Sequence, residues 1–418
     1  MDVVVIAQYA GSRKHGMVYG HYYLAREWVR SGHRVTIIAG SFAHPRIQQP
    51  VVRGGVTEEV IDGIRYLWVP TPTYVPASRF GRIRNMLSFV LQAWWGRLPI
   101  TKADVVVCSS HHPFAIHPAR RIARRWGAQL IFEVRDLWPL TLIELGGASR
   151  RNPFIMAMQF SEDYAYRHAD RVVSVLPGAR PYMVARGMAA AKFRFIPNGV
   201  DPSEASSSAP LPTSHAEALA RLRDRGAFLV GYAGRIGLAN ALETLLSALA
   251  QCPAPDICLV LLGNGPLESD LKAHADRLGL YDRIMFLDSV RKDQVPEFLR
   301  QIDVAYVGYA PQPLYQFGVS PTKLADYMLA SRPVLSAMDA PDDIVATSGA
   351  GISCRAGDVR GIADAIAKFR TMSASERQEM GERGRRWLVA HRDYRLLAAR
   401  FLSRVEEAYG GERRDPPS

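Results

Sequence analysis

Two short segments in the second half of the chain bring together residue types suited to holding an anion. The first is Gly234-Arg235-Ile236-Gly237. It follows the apolar run Phe228 to Tyr232 and precedes Leu242, Leu245, Leu246 and Leu249 at helical spacing. Glycine at a strand-to-helix turn lets backbone N–H groups approach a ligand, and Arg235 adds a fork of donors that suits phosphate. An ordinary turn with a solvated arginine would look the same from these residues alone. The second segment is Gly318-Val319-Ser320-Pro321-Thr322-Lys323, followed by Asp326. Ser320 reads as a helix N-cap and Pro321 as the first helical residue, which places Lys323 in the first turn. A cation there opposes the helix dipole, a cost that makes sense if Lys323 holds an anion. Asp326, one turn on, could accept hydrogen bonds from ligand hydroxyls. The alternative is that both are solvated surface residues.

The first half offers a different set. The loop Gln8 to Gly16 follows the first apolar run, precedes a helix expected to begin near Tyr19, and carries Arg13, Lys14, His15 and Gly16. A basic loop in this place would close over a diphosphate or admit an acceptor. His111 and His112 follow the run Val105 to Ser109, where one of them could orient an acceptor hydroxyl. Gly263-Asn264-Gly265-Pro266 matches only the start of a dinucleotide fingerprint. Its third glycine position is Glu268, so a structural turn is expected rather than an NAD site. No Asp-x-Asp motif and no cluster with metal-ligand spacing occurs. No cofactor and no metal are therefore expected, and the charge of a leaving diphosphate falls to Arg235 and Lys323.

These segments need strands to present them. Apolar runs recur with helical stretches between them: Val3 to Ala7, Val35 to Ala39, Ile64 to Val69, Asp104 to Ser109, Leu130 to Val134 and Arg171 to Val175. The rhythm restarts at Phe228 and continues through Ile257 to Leu262, Ile284 to Leu287, Val304 to Val307 and Val334 to Ala337. Continuous apolar runs mark strands covered on both faces, so the fold class is α/β with two Rossmann-like parallel sheets facing across a cleft. The expected divisions are an acceptor domain over 1–200 and a donor domain over 201–384. Helices over 385–418 then pack back toward the first domain and end in a polar tail.

At 418 residues the chain is long enough for two domains, and its 52 Lys+Arg against 40 Asp+Glu give a net charge of +12, which calls for an anionic partner. The four cysteines lie far apart and read as core packing. No apolar run approaches the roughly 18 residues of a membrane span. The chain enters its first strand without a basic leader, so a cytoplasmic location is expected. The segment Arg79 to Trp95 places Ile83, Met86, Leu87, Val90, Leu91 and Trp94 on one helical stripe beside three arginines. It would suit either a lipid interface or a core, and the net positive charge favours peripheral contact with an anionic membrane surface.

Taken together, Ile196-Pro197-Asn198-Gly199-Val200-Asp201, Tyr232-Ala233-Gly234-Arg235, Leu262-Gly263-Asn264-Gly265-Pro266 and Ser320-Pro321-Thr322-Lys323 with Asp326 resemble the landmarks of family-four retaining glycosyltransferases of the GT-B fold. Phe132-Glu133-Val134-Arg135-Asp136-Leu137-Trp138-Pro139 resembles a bacterial branch that builds O-antigen, capsule and exopolysaccharide and includes N-acetylfucosaminyltransferases. The resemblance implies transfer, with retention, from a nucleotide sugar, a UDP-sugar first of all, to a polyprenyl-diphosphate-linked saccharide at the inner face of the cell membrane. It implies donor contacts at Gly234, Val290, Gly318, Val319, Ser320 and Asp326, acceptor contacts at Gly16, His15, His111 and Arg135, and catalytic roles for Arg235, Lys323 and Asp136. The chain also departs from the family. The usual pair of glutamates falls on Gly318 and Asp326, and the usual His-Asp pair is Arg135-Asp136. The phosphate-binding lysine expected shortly after Arg235 is replaced within Leu238-Ala239-Asn240-Ala241, which makes Lys323 the candidate for the missing charge. A nucleotide-sugar epimerase on the same fold and a non-catalytic, membrane-docked assembly partner are the competing readings. Scattered basic residues without aromatic platforms make nucleic acid a distant one.

Overall fold

The computed structural model describes every residue except 17–19, 76, 207 and 411–418, and the backbone alone of 205–206 and 404–410. The helix start anticipated near Tyr19 and the polar tail fall outside the described residues. The chain forms two compact units, residues 1–199 with 394–418 and residues 200–393.

Unit 1 contains β1 (Asp2–Ile6), α1 (Gly20–Arg30), β2 (Arg34–Gly40), β3 (Thr57–Ile61), β4 (Ile64–Val69), α2 (Arg79–Trp95), β5 (Val105–Ser109), α3 (Ile116–Trp126), β6 (Gln129–Val134), α4 (Leu140–Glu144), α5 (Pro153–His168), β7 (Arg171–Ser174), α6 (Arg180–Ala185) and β8 (Phe193–Phe195). Its sheet runs β3-β4-β2-β1-β5-β6-β7-β8. Every pairing is parallel except β3 with β4, where the sequence reading had a purely parallel sheet. Asp62 and Gly63 make the difference. Both have positive φ, 51° and 77°, the requirement of a two-residue hairpin turn, and Thr57–Ile61 alternates between half-buried and exposed as an edge strand does.

Unit 2 contains α7 (Thr213–Asp224), β9 (Phe228–Ala233), α8 (Leu242–Gln251), β10 (Ile257–Leu262), α9 (Glu268–Arg277), β11 (Ile284–Leu287), α10 (Val295–Arg300), β12 (Val304–Gly308), α11 (Thr322–Leu329), β13 (Val334–Ala337), α12 (Ile344–Ser348), β14 (Gly351–Cys354), α13 (Val359–Thr371) and α14 (Ala374–Arg392). Its parallel sheet has the order β11-β10-β9-β12-β13-β14. Alternate residues of one strand serve two cores. Leu229 and Val260 pack with Phe298 and Met328, whereas Val230 and Leu259 pack with Leu245 and Phe369. That double coverage is why these strands read as continuous apolar runs.

The return to unit 1 comes later than expected. Helix α14 runs unbroken through Arg385 and stays in unit 2, while α15 (Tyr394–Gly410) packs on α1. Trp28 Nε1 donates to the Ala398 carbonyl at 3.0 Å, Tyr23 stacks on Tyr394, and Leu397 and Phe401 complete the β1 side of the core. The break falls at Asp393 because Arg392 and Asp393 are taken up by Val200, which donates its N–H to the Arg392 carbonyl at 2.8 Å.

Helix α2 forms where periodicity placed it, but a different face is buried. Met86, Phe89 and Ala93 enter the core with Asn85, while Leu87 and Leu91 face solvent. The cysteines are free, and three of the four are buried. No described helix is long and apolar enough to cross a membrane.

Candidate functional site

In unit 2 the loops after β9 and β10 and the start of α11 enclose a cavity of about 600 Å³, inside the roughly 300–1,000 Å³ typical of small-molecule sites. Gly234, Arg235, Val290, Lys323 and Asp326 line it together, as does Asn264. Gly318, Val319 and Ser320 are not among its lining residues.

Helix α11 begins at Thr322, one residue later than the Ser320 cap implied. Pro321 occupies the N-cap position with extended backbone (ψ 117°) and offers no side-chain acceptor. The first N–H groups of α11 thus have no capping side chain, and Lys323 still lies in the first turn. Its ammonium donates to the Tyr232 hydroxyl at 2.8 Å and to Asn240 Oδ1, and sits 4.4 Å from the centre of the Tyr232 ring. All these partners are neutral, and no described carboxylate lies within ion-pair distance. Burial lowers the Lys323 ammonium to about 8. Tyr232 and Asn240 both donate to the Arg235 carbonyl, at 2.7 and 2.9 Å, so one network fixes the lysine and the turn that carries Arg235. The Arg235 side chain itself is exposed.

Close backbone approach explains the glycines. A Cβ on Gly263 would lie 2.0 Å from the Gly234 carbonyl oxygen, and one on Gly265 1.8 Å from that of Ile236. Gly-Asn-Gly is therefore a brace beneath the Gly234 turn: Ile236 N–H donates to the Asn264 carbonyl at 3.0 Å, and Asn264 Oδ1 accepts from Ser289 N–H at 2.6 Å. Asp326, on the cavity wall, is ion-paired with Lys292 at 2.5 Å. Burial pushes its carboxyl up, and Lys292 opposes that. Tyr327 hooks α11 to the end of β9 by donating to the Ala233 carbonyl and accepting from its N–H.

The unit 1 candidates separate into two groups. His15 is buried and held by Ser12 Oγ at 2.8 Å, by Glu59 and by the edge of the Trp68 ring. Gly16 (φ 69°) packs so tightly on Ile47 that a Cβ would clash at 2.8 Å. Both brace their loop.

His111 and Arg135 instead belong to a polar cluster at the carboxyl ends of β5 and β6. Glu133 is almost fully buried and meets His21 Nε2 at 2.6 Å and the Arg135 guanidinium at 3.2 Å. Burial pushes the Glu133 carboxyl up, but His21 and Arg135 outweigh it and hold the group well below the usual carboxylate range. Arg135 also donates to Asn198 Oδ1 at 2.7 Å. The His111 ring stands 5.5 Å from that of His21, and burial drives its pKa well below the ordinary value. His112 is lowered to about 3 and bonds Gln8 at 2.6 Å. Asp136 is exposed.

Residue types alone did not single out His21, Glu133, Tyr232, Asn240 or Lys292. An acid inside the otherwise apolar run Leu130 to Val134 was the one available signal for Glu133, since a buried carboxylate needs a partner. Among the described residues, no group of three or more His, Cys, Asp or Glu is placed to hold a metal ion.

Comparison with known proteins gives two family matches. Residues 15–199 match the family described as glycosyl transferase 4-like domain, and residues 215–387 match glycosyl transferases group 1. A 2-deoxystreptamine glucosyltransferase of Streptomyces kanamyceticus is 24% identical over 267 residues, which are 63% of this chain and 66% of that relative. Many solved structures share the fold, two of which follow. The sucrose-phosphate synthase of Thermosynechococcus elongatus has a TM-score of 0.69 at 17% identity, over 98% of this chain and all of that one. Anabaena HepE in complex with UDP-glucose has 0.64 at 16% identity, over 98% and 100% of the two chains.

Proposed function

We infer that this chain, a glycosyltransferase of the GT-B fold whose two halves belong to the glycosyl transferase 4-like and glycosyl transferases group 1 families, holds a nucleoside diphosphate sugar in its unit 2 cavity. The donor is a UDP-sugar, and the acceptor a polyprenyl-diphosphate-linked saccharide. Transfer proceeds with retention, at the inner face of the cell membrane, in the synthesis of a cell-surface polysaccharide. The observation that carries the donor half is Lys323: a half-buried ammonium with only neutral partners, in the first turn of an uncapped helix, against the Gly234 turn. A diphosphate supplies the charge this arrangement lacks. HepE is described in complex with UDP-glucose, which supports the choice of uridine.

In this reading Lys323, the first N–H groups of α11 and Arg235 stabilise the charge that develops on the leaving diphosphate. Asp326 exchanges Lys292 for ribose hydroxyls, and Val290 lies against the base. As the bond from the anomeric carbon to the diphosphate oxygen breaks, the acceptor oxygen bonds to that carbon from the same side. Its proton passes to the departing phosphate oxygen, so no separate base is required. In unit 1 Arg135, its charge balanced by Glu133, serves as a fixed hydrogen-bond donor for the acceptor, with Asp136 and His111 beside it.

Calorimetry with UDP, followed by incubation with a panel of UDP- and GDP-sugars, tests this. Binding of UDP and slow donor hydrolysis are expected, and both should persist in chelator. Neither binding nor turnover across the panel would overturn the reading. An epimerised sugar formed from donor alone would replace transfer by epimerisation.

A further inference from the structure

We propose that the outer surface built by α2, α3 and α5 of unit 1 is the face that seats this enzyme on an anionic lipid bilayer, which deepens the reading of a lipid-linked acceptor. Helix α2 buries Met86, Phe89 and Ala93, so its opposite side is free to do something else. That side carries Phe80, Arg84, Leu87, Leu91 and Trp95, a single stripe at helical spacing. The four apolar members are 76%, 42%, 55% and 74% exposed. Leaving a phenylalanine, two leucines and a tryptophan in water along one stripe is what an interfacial helix does, and a core helix does not.

The neighbours extend this surface and give it a sign. Helix α3 packs against both α2 and α5. The Arg121 guanidinium lies 5.4 Å from the Trp94 ring centre and 5.9 Å from that of Trp95. Arg120 lies over the Tyr164 ring, which in turn touches Phe160 of α5. Phe160 and Met156, one turn apart, are both more than half exposed. Helices α2 and α3 together contain seven arginines and no Asp or Glu, and Arg121, Arg124 and Arg125 are exposed. Arginines flanking exposed aromatic and aliphatic side chains match the layering of lipid phosphates over acyl chains. A second copy is a poor occupant, because apposing two such faces would set one arginine row against another without acidic partners on α2 or α3.

Co-sedimentation of the full chain with vesicles, either phosphatidylcholine alone or phosphatidylcholine mixed with phosphatidylglycerol, tests the proposal. Binding to the mixed vesicles only is expected, with a blue shift of tryptophan fluorescence and release by salt. Replacing Phe80, Leu91 and Trp95 together with Ser should weaken binding at least tenfold. Replacing Arg84, Arg124 and Arg125 with Ser should weaken it about a hundredfold, at about fivefold per arginine. UDP calorimetry on the same variants reports folding and donor binding independently, and both should be unchanged. Failure of UDP binding in the parent protein would strike the donor reading alone. Absence of vesicle binding, equal binding to the two vesicle types, or full binding by both variants would overturn the lipid face. So would self-association of the parent that the apolar variant abolishes, which would assign the stripe to a second copy.

Discussion

Lys323 in unit 2 and Arg135 in unit 1 are both cations set close to the ends of parallel strands, and they differ in what surrounds them. Lys323 has a tyrosine hydroxyl and an amide for company. Arg135 has a buried carboxylate that is itself paired with His21. The first site is short of negative charge and the second is already balanced. A charge kept out of water without a counter-ion is costly unless a ligand brings one, whereas a balanced cluster is fixed in shape and contributes hydrogen bonds more than field. The pair teaches that a strand-end cation is informative about a ligand only after its partners are counted.

The largest effect should come from breaking the balanced side. Glu133→Ala leaves buried His21 and half-buried Arg135 without their carboxylate and should cost about 3–5 kcal/mol of stability, read by urea unfolding. The conservative Glu133→Gln should remove the part of the acid limb this group supplies. Because its folded pKa lies below the unfolded value, its stabilisation is present above about pH 4.5 and is lost as pH falls. In either variant UDP affinity should stay as it was, provided the protein is folded.

Next is the unbalanced side. Lys323→Ala should lower turnover by about 10²-fold or more while leaving the fold intact, since it removes the cation that faces the leaving group. Unchanged kcat/KM would show that the lysine only braces the Asn240 turn. The same deficit should appear as a pH effect. With its folded pKa lowered to about 8, Lys323 is protonated in the unfolded chain and neutral in the folded one between about pH 8 and 10.4. Free protein therefore gains stability from this group as pH rises through that window, and bound UDP, by restoring the proton, removes the gain. Calorimetry at pH 8 in two buffers of different ionisation enthalpy should detect net proton uptake on UDP binding, which Lys323→Met abolishes.

The smallest expected effect sharpens the comparison at Asp326. Lys292→Ala deletes an exposed partner and should change UDP affinity by less than about fivefold, since surface ion pairs contribute about 0–1 kcal/mol. Tighter binding would show that Lys292 competes with the ligand for the carboxylate, and a loss beyond tenfold would make Lys292 itself a ligand contact.

Much of this was legible in the residues. The runs beginning at Val3, Val35, Phe228 and Ile257 announced strands buried on both faces, and Gly234, Lys323 and Asp326, singled out by residue type and spacing, line one cavity, because periodicity and turn chemistry act over a few residues. The Asp62-Gly63 hairpin was missed, although that dipeptide encodes its own turn. Other features had no local signal. Which face of α2 is buried depends on what the sheet offers Phe89, and periodicity ranks Leu87 and Leu91 no lower.

What the sequence determined by itself was the α/β alternation, a division within a residue of the one between the two units, and the local turns that carry Gly234 and Lys323. Tertiary structure alone decided that Lys323 meets Tyr232 across 91 positions and His21 meets Glu133 across 112. It also decided that α15 comes back to α1, closing Trp28 on Ala398 across 370. The physical reason is range. A strand or a cap is set by neighbours along the chain, but whether a buried charge finds a counter-ion is set by which chain ends the whole sheet brings together, and no short window of sequence contains that information.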